Sequence, residues 1–240
     1  HPALAAQIPF GLSQKPRDAL IAYYCTHEYW EHACHVARHT LLAARAGMMR
    51  MKREFAILEK KTGVIADFFH HSFSIKVWCW GFDKKKELNV TKSENTTHFG
   101  YVFSGTPTLS IGKKYFSISK GMYFCIPSSF KISGGNGIVI SSLNQKGLFQ
   151  MGGPIESKGR LKYVDGVSDT LIISPLKKGD GCLNHSHFPK NISQTLHTHP
   201  SDRIGIIASG EGTCKVEGKT HPLLHGTIFV IPEDCQHSFL

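Results

Sequence analysis

Three histidines carry the most specific chemistry in this chain. His197 and His199 stand two apart in QTLHTHPSDRIGIIASGEG, and His237 follows in GTIFVIPEDCQH. In a strand, residues i and i+2 face the same side, so the two imidazoles of the pair can converge on one point. Three neutral imidazoles from two neighbouring strands make a donor set for a divalent transition metal. An HxH pair alone is weak, because exposed histidine pairs are common. The spacing of Gly226, Pro232 and His237, G-x5-P-x4-H, makes the signal much stronger.

Other candidate clusters carry less. His185 and His187 form a second HxH (LNHSHFP), expected on an edge-strand face, with a contribution to the pocket as the alternative. Glu28, His32, His35 and His39 fall on one helical face. That stripe reads as an exposed or interface surface, since no second helix offers carboxylates in register for a bundle metal site. Cys214 and Cys235 lie near the presumed site and are read as strand packing. The sequence has no G-x-S-x-G elbow, no H-E-x-x-H, no phosphate loop and no Rossmann glycine pattern.

The elements that must position these residues differ along the chain. Residues 1–61 hold eleven alanines; the remaining 179 hold only Ala66 and Ala208. From Asp18 to Lys61 there is no proline and only Gly47 among glycines, which predicts one or two helices. After Gly63, short runs such as SIKVWCWGF, FGYVFSG and YFSISKG, broken by Gly, Pro, Asn and Ser, predict strands of a sandwich or barrel. The expected organisation is a helical N-terminal segment over 1–72, foreign to the rest on one reading, then β units over 73–150 and 151–240.

The β part repeats itself at an offset of 105 residues. GYVFSGTPT (100–108) lies over GIIASGEGT (205–213), and GMYFCIP (121–127) over GTIFVIP (226–232). Two copies of one β-fold follow. The same offset puts His197, His199, Arg203 and His237 on Lys92, Glu94, His98 and Ile132. The first copy has therefore lost the metal site and is read as a structural, dimer-forming unit. It continues through GGNGIVISSL (134–143), which has no counterpart before Leu240, so the second unit is expected to lack its closing strand. The chain starts at His1, which reads as a fragment or a processed product.

Composition excludes several classes. With 41% apolar residues and 23 glycines the chain is of ordinary globular type, and no apolar run reaches the ~18 residues of a membrane span. The net charge is +10, but Lys84–Lys86 is the only basic run of three, so no nucleic-acid stripe is legible. Seven cysteines without any CxxC, and no secretory signal, point to reduced thiols in a cytoplasmic protein.

On the HxH, Gly210, and the Gly226, Pro232 and His237 motif, the chain resembles the cupin superfamily over roughly residues 73–240. That resemblance implies a mainly β bicupin: two antiparallel jelly-roll barrels, the first degenerate, the second binding metal through His197, His199 and His237. Asp234 stands where the second motif has its second glycine. Arg203 stands where the family has a glutamate ligand. Asp202, beside it, is a loop residue or Arg203 partner, with a fourth-ligand role as the alternative. A three-histidine set is similar to that of cupin dioxygenases and implies Fe(II), with Mn, Ni or Zn as alternatives. The resulting expectation is a metal-dependent oxygenase acting on a small organic anion, with Arg203 as its clamp, acting as a homodimer without nucleic-acid or membrane partners. The alternatives are a non-catalytic binding or sensing cupin and a redox-neutral isomerase or lyase.

Overall fold

Short apolar runs between turn residues dictate short strands, and the computed structural model is built from them. It describes residues 54–68, 74–93 and 95–240. Most of the expected helical segment, including the stripe from Glu28 to His39, lies outside the described residues, as does Glu94. Its end is corrected. Ala56–Leu58 is strand β1 and Gly63–Phe68 is strand β2, not helix. The reason is pairing: Ala56, Ile57 and Leu58 add to the edge of one sheet, opposite Val230, Phe229 and Ile228. Such non-local hydrogen bonding overrides the helix preference of EFAILEKK.

The first copy is a sandwich. β3 (Ile75–Trp80), β5 (Thr97–Ser104), β8 (Tyr123–Ile126), β10 (Asn136–Ser142) and β11 (Gln150–Gly152) join β2 in the order β11-β8-β5-β10-β3-β2. Against it lies the sheet β4-β9-β6-β7, made of β4 (Glu87–Val90), β6 (Thr108–Ile111), β7 (Lys114–Ser117) and β9 (Phe130–Ser133). Inward side chains of both sheets, among them Trp80, Val102, Leu109, Phe124, Ile132 and Val139, form one buried cluster. At about 1.5–3 kcal/mol per fully buried side chain, this cluster is the main hold on the sandwich.

The second copy is smaller among the described residues. β15 (Arg203–Ile206) and β18 (Ile228–Ile231) pair with β1 in the order β1-β18-β15. β16 (Gly212–Val216), β17 (Lys219–Leu223) and β19 (His237–Phe239) form the sheet β17-β16-β19. Cys214, Val216, Leu223 and Ile231 are buried together as its core. A third small sheet, β12-β13-β14, contains β12 (Leu161–Lys162), β13 (Ser168–Ile173) and β14 (Leu183–His187). Apart from Lys177–Asp180, the described residues form one compact unit.

The repeat is visible in these strands. Moved by 105 residues, β2 falls on β13 and β8 on β18, end to end. The matched Gly100/Gly205 and Phe124/Phe229 pairs have a common cause. In each copy the phenylalanine lies opposite the glycine on the neighbouring strand, and its ring fills the space a Cβ would need. The outer face of the six-stranded sheet is buried as well: Val77, Tyr101 and Ile138 pack with Ile228, against Ile204, Ile206 and Leu58. This explains why β5 is buried on both faces instead of alternating.

Candidate metal centre

His197 follows the loop after β14, and His237 opens β19. The two residues form an isolated antiparallel bridge. His199 sits two residues on, where its carbonyl accepts the amide of Asp234 at 2.8 Å. One nitrogen from each of the three rings lies within 4.8 Å of the others, so a single ion could touch all three. The ring centroids are 4.5–5.2 Å apart.

The protonation pattern suits ligation. His197 Nδ1 donates to the Thr195 carbonyl at 2.9 Å, and His237 Nδ1 donates to the Cys235 carbonyl at 2.8 Å. Each bond fixes the tautomer that leaves a lone pair on Nε2. His237 Nε2 is fully buried and has no protein partner. Burial pushes the His199 imidazole down to about 4, and the Arg203 charge and the other two histidines push the same way. His237 is lowered too, first by burial. His199 and His237 are thus held neutral, as metal ligands must be. Phe239 closes one side, 5.8 Å from the His237 ring between centroids.

Arg203 begins β15 on the exposed side, with Nη1 donating to Ser201 Oγ at 2.6 Å. Asp202 is not in the ligand group; its Oδ1 accepts the Glu233 amide at 2.9 Å and ties down the turn before His237. Asp234 takes φ of +57°, the left-handed conformation for which the motif has glycine and which aspartate tolerates better than most residues. His185 and His187 lie on β14, the edge of its sheet, outside the three-histidine group.

Sequence reasoning missed Asp165. It sits in a short 3-10 turn, Val164–Gly166, and its Oδ2 accepts both the amide and the hydroxyl of Thr195 at 2.7 Å. Thr195 is the residue whose carbonyl orients His197. A lone aspartate thirty residues upstream carries no local signal of this role.

The constant offset also fails at the last strand. Leu109 pairs with Ile132, but its counterpart Cys214 pairs with Phe239. The turn between β18 and β19, Pro232–Gln236, is two residues longer than Pro127–Ser129 in the first copy. By strand pairing, the position of His237 is therefore filled by Phe130 and that of His197 by Val90, both buried. Ile132, the expected counterpart, is buried in the first core.

Comparisons with known proteins agree with this architecture. The family model described as the AraC-like ligand binding domain matches residues 178–239. No curated protein matches the chain significantly. Among solved structures, the chain is similar to a cupin 2 conserved barrel domain protein from Leptotrichia buccalis, at 17% identity and TM-score 0.51, covering 81% of this chain and 86% of that one. It is also similar to salicylate 1,2-dioxygenase from Pseudoaminobacter salicylatoxidans with gentisate, at 11% identity and TM-score 0.53, covering 98% and 89%. At these identities the likeness shows the fold, which is mainly β and cupin-like. Among the described residues no helix is long and apolar enough to cross a membrane.

Proposed function

We propose that this chain is a bicupin whose second barrel holds a divalent metal through His197, His199 and His237 and works as an oxygenase on a small organic anion. The observation that carries the reading is the convergence of three ring nitrogens within 4.8 Å, with His237 Nε2 buried and unpartnered. A buried imine nitrogen without a donor is costly, and a metal ion removes that cost. Fe(II) is the leading candidate, with Mn, Ni and Zn as alternatives. When bound, the ion would supply open coordination positions and one-electron chemistry for joining dioxygen to the substrate.

The chain's own residues do the rest. The Thr195 and Cys235 carbonyls hold two imidazoles in the ligating tautomer. Phe239 covers one side of the His237 ring and is itself packed by Phe188 and Phe229. Arg203, whose charge acts on His199 and His237 and whose Nη1 donates to Ser201 Oγ, would hold a substrate carboxylate outside the three histidines.

The test is elemental analysis of untagged protein beside a His197→Ala/His237→Ala variant, followed by oxygen uptake with small carboxylates. About one equivalent of metal, lost in the variant, supports the site, and oxygen uptake that falls in Arg203→Ala supports the clamp. Absence of metal from both folded proteins overturns the reading. A second reading rests on the match of residues 178–239 to a ligand binding domain: a sensing module that takes a small molecule without turning it over. Saturable ligand binding with no oxygen uptake would select it.

A further inference from the structure

The first copy lacks the three histidines, yet it keeps a buried histidine beside a cavity. His98, on β5, is fully buried. Its Nδ1 lies 2.7 Å from Ser141 Oγ, and the same oxygen accepts Trp78 Nε1 at 2.8 Å. The indole can only donate, so the serine hydroxyl is free to give its own hydrogen to His98 Nδ1. When the serine donates in this way, the remaining imidazole hydrogen lies on Nε2. His98 Nε2 has no protein partner.

The cavity that His98, Ser141 and Thr96 help to line has a volume of about 160 Å³. A site of roughly 150 Å³ is large enough for benzene. His98, Ser141 and Thr96 in the lining are buried, while Lys92 and Ser93 are exposed and Ser93 Oγ rests against Thr96 Oγ1 at 2.5 Å, so the cavity reaches from buried residues to the surface. Trp78 and Leu143 supply apolar wall. Among the described residues that line it, the charged ones are Lys76, paired with Asp67 at 3.1 Å, and Lys92, whose charge acts on His98.

We propose that this cavity is a second ligand site, separate from the three histidines, which takes a compact organic carboxylate with an apolar body of about benzene size. Lys92 meets the carboxylate at the exposed side, and the body lies against Trp78 beside His98. This assigns a binding role to a copy whose sequence reads as purely structural. It is independent of the metal reading, because none of its residues belongs to the three-histidine group.

Trp78 lies in the cavity wall, so its indole N–H is the local reporter. The experiment is a titration of the full chain, labelled with 15N-tryptophan, with benzoate as the probe and neutral benzamide as its control. The Trp78 signal is assigned through Trp78→Phe. Benzoate is expected to shift it saturably, benzamide to bind about tenfold more weakly, and Lys92→Gln to weaken benzoate about fivefold. Ser141→Ala, which removes the hydrogen bond to His98, is expected to weaken it as well. Arg203→Ala is expected to leave this signal's response unchanged, whatever its effect at the other site. An unmoved Trp78 signal up to about 10 mM benzoate overturns the proposal. So does equal binding of benzamide, or a Lys92→Gln protein that responds like the parent.

Discussion

The amide of His197 donates to the carbonyl of His237 at 3.0 Å, and the amide of His237 donates back to the carbonyl of His197 at 2.9 Å. Two proposed ligands are thus locked to each other through the backbone before any ion arrives. The cost of ordering them is met by a strand bridge, which uses only backbone groups and leaves the Nε2 atoms for the site.

Asp165 stabilises this arrangement from outside. Asp165→Ala removes both bonds to Thr195 and loosens the carbonyl that orients His197. Removing such an outer support typically weakens metal binding about 10–100-fold. Competition with a chelator of known affinity measures this directly, and a circular dichroism spectrum unchanged from the parent separates it from unfolding. Unaltered metal affinity would show that Thr195 holds its place without the carboxylate.

Asp234 carries φ of +57° while its amide bonds the His199 carbonyl. Asp234→Gly keeps that geometry and is expected to match the parent in urea unfolding and in metal content. Asp234→Val forces a β-branched residue into the left-handed region, at a cost of about 1–2 kcal/mol, and should lower both. Equal behaviour of the two variants would contradict a conformational role.

Gly205 lies under the Phe229 ring, as Gly100 lies under Phe124. Gly205→Ala pushes a methyl into that ring and should destabilise by about 1–3 kcal/mol. Pairing it with Phe229→Leu, which clears the space, should recover part of the loss in a double-mutant cycle. Additive effects would mean that the two residues are not coupled.

His98 makes stability depend on pH. Burial, helped by the Lys92 charge, lowers its pKa from 6.5 to about 4 in the folded protein. Lys76 also lines the adjoining cavity, paired with Asp67, and the groups in ring contact or hydrogen-bonded with His98, Phe130 and Ser141, are uncharged. The unfolded chain therefore binds the extra proton first. The contribution of neutral His98 is fully present above pH 6.5 and is lost as pH falls from there toward 4, by of order 3 kcal/mol. Urea midpoints for the parent and His98→Gln should converge at acid pH and separate at neutral pH. Parallel curves would rule this out.

Much of the architecture was legible from local pattern. Strand periodicity and turn residues marked the β-rich part, and the 105-residue offset foretold that β8 would match β18, whereas β2, expected to be part of the helical segment, was found to match β13 only in the structure. The HxH pair and the Gly226, Pro232 and His237 spacing singled out the three histidines that the structure brings together, although of the HxH pair only His197 makes a strand-type bridge. What the tertiary structure alone decided depends on pairing between distant segments. EFAILEKK has helical composition but becomes β1, because β18 presents an edge to it. The two added residues before His237 change which side chains meet, placing Phe130 and Val90 where the second copy has histidines. Asp165 and Asp202 reach backbone amides thirty or more residues away. Hydrogen bonds of that kind are set by where the folded chain brings its backbone, and no local sequence period encodes them.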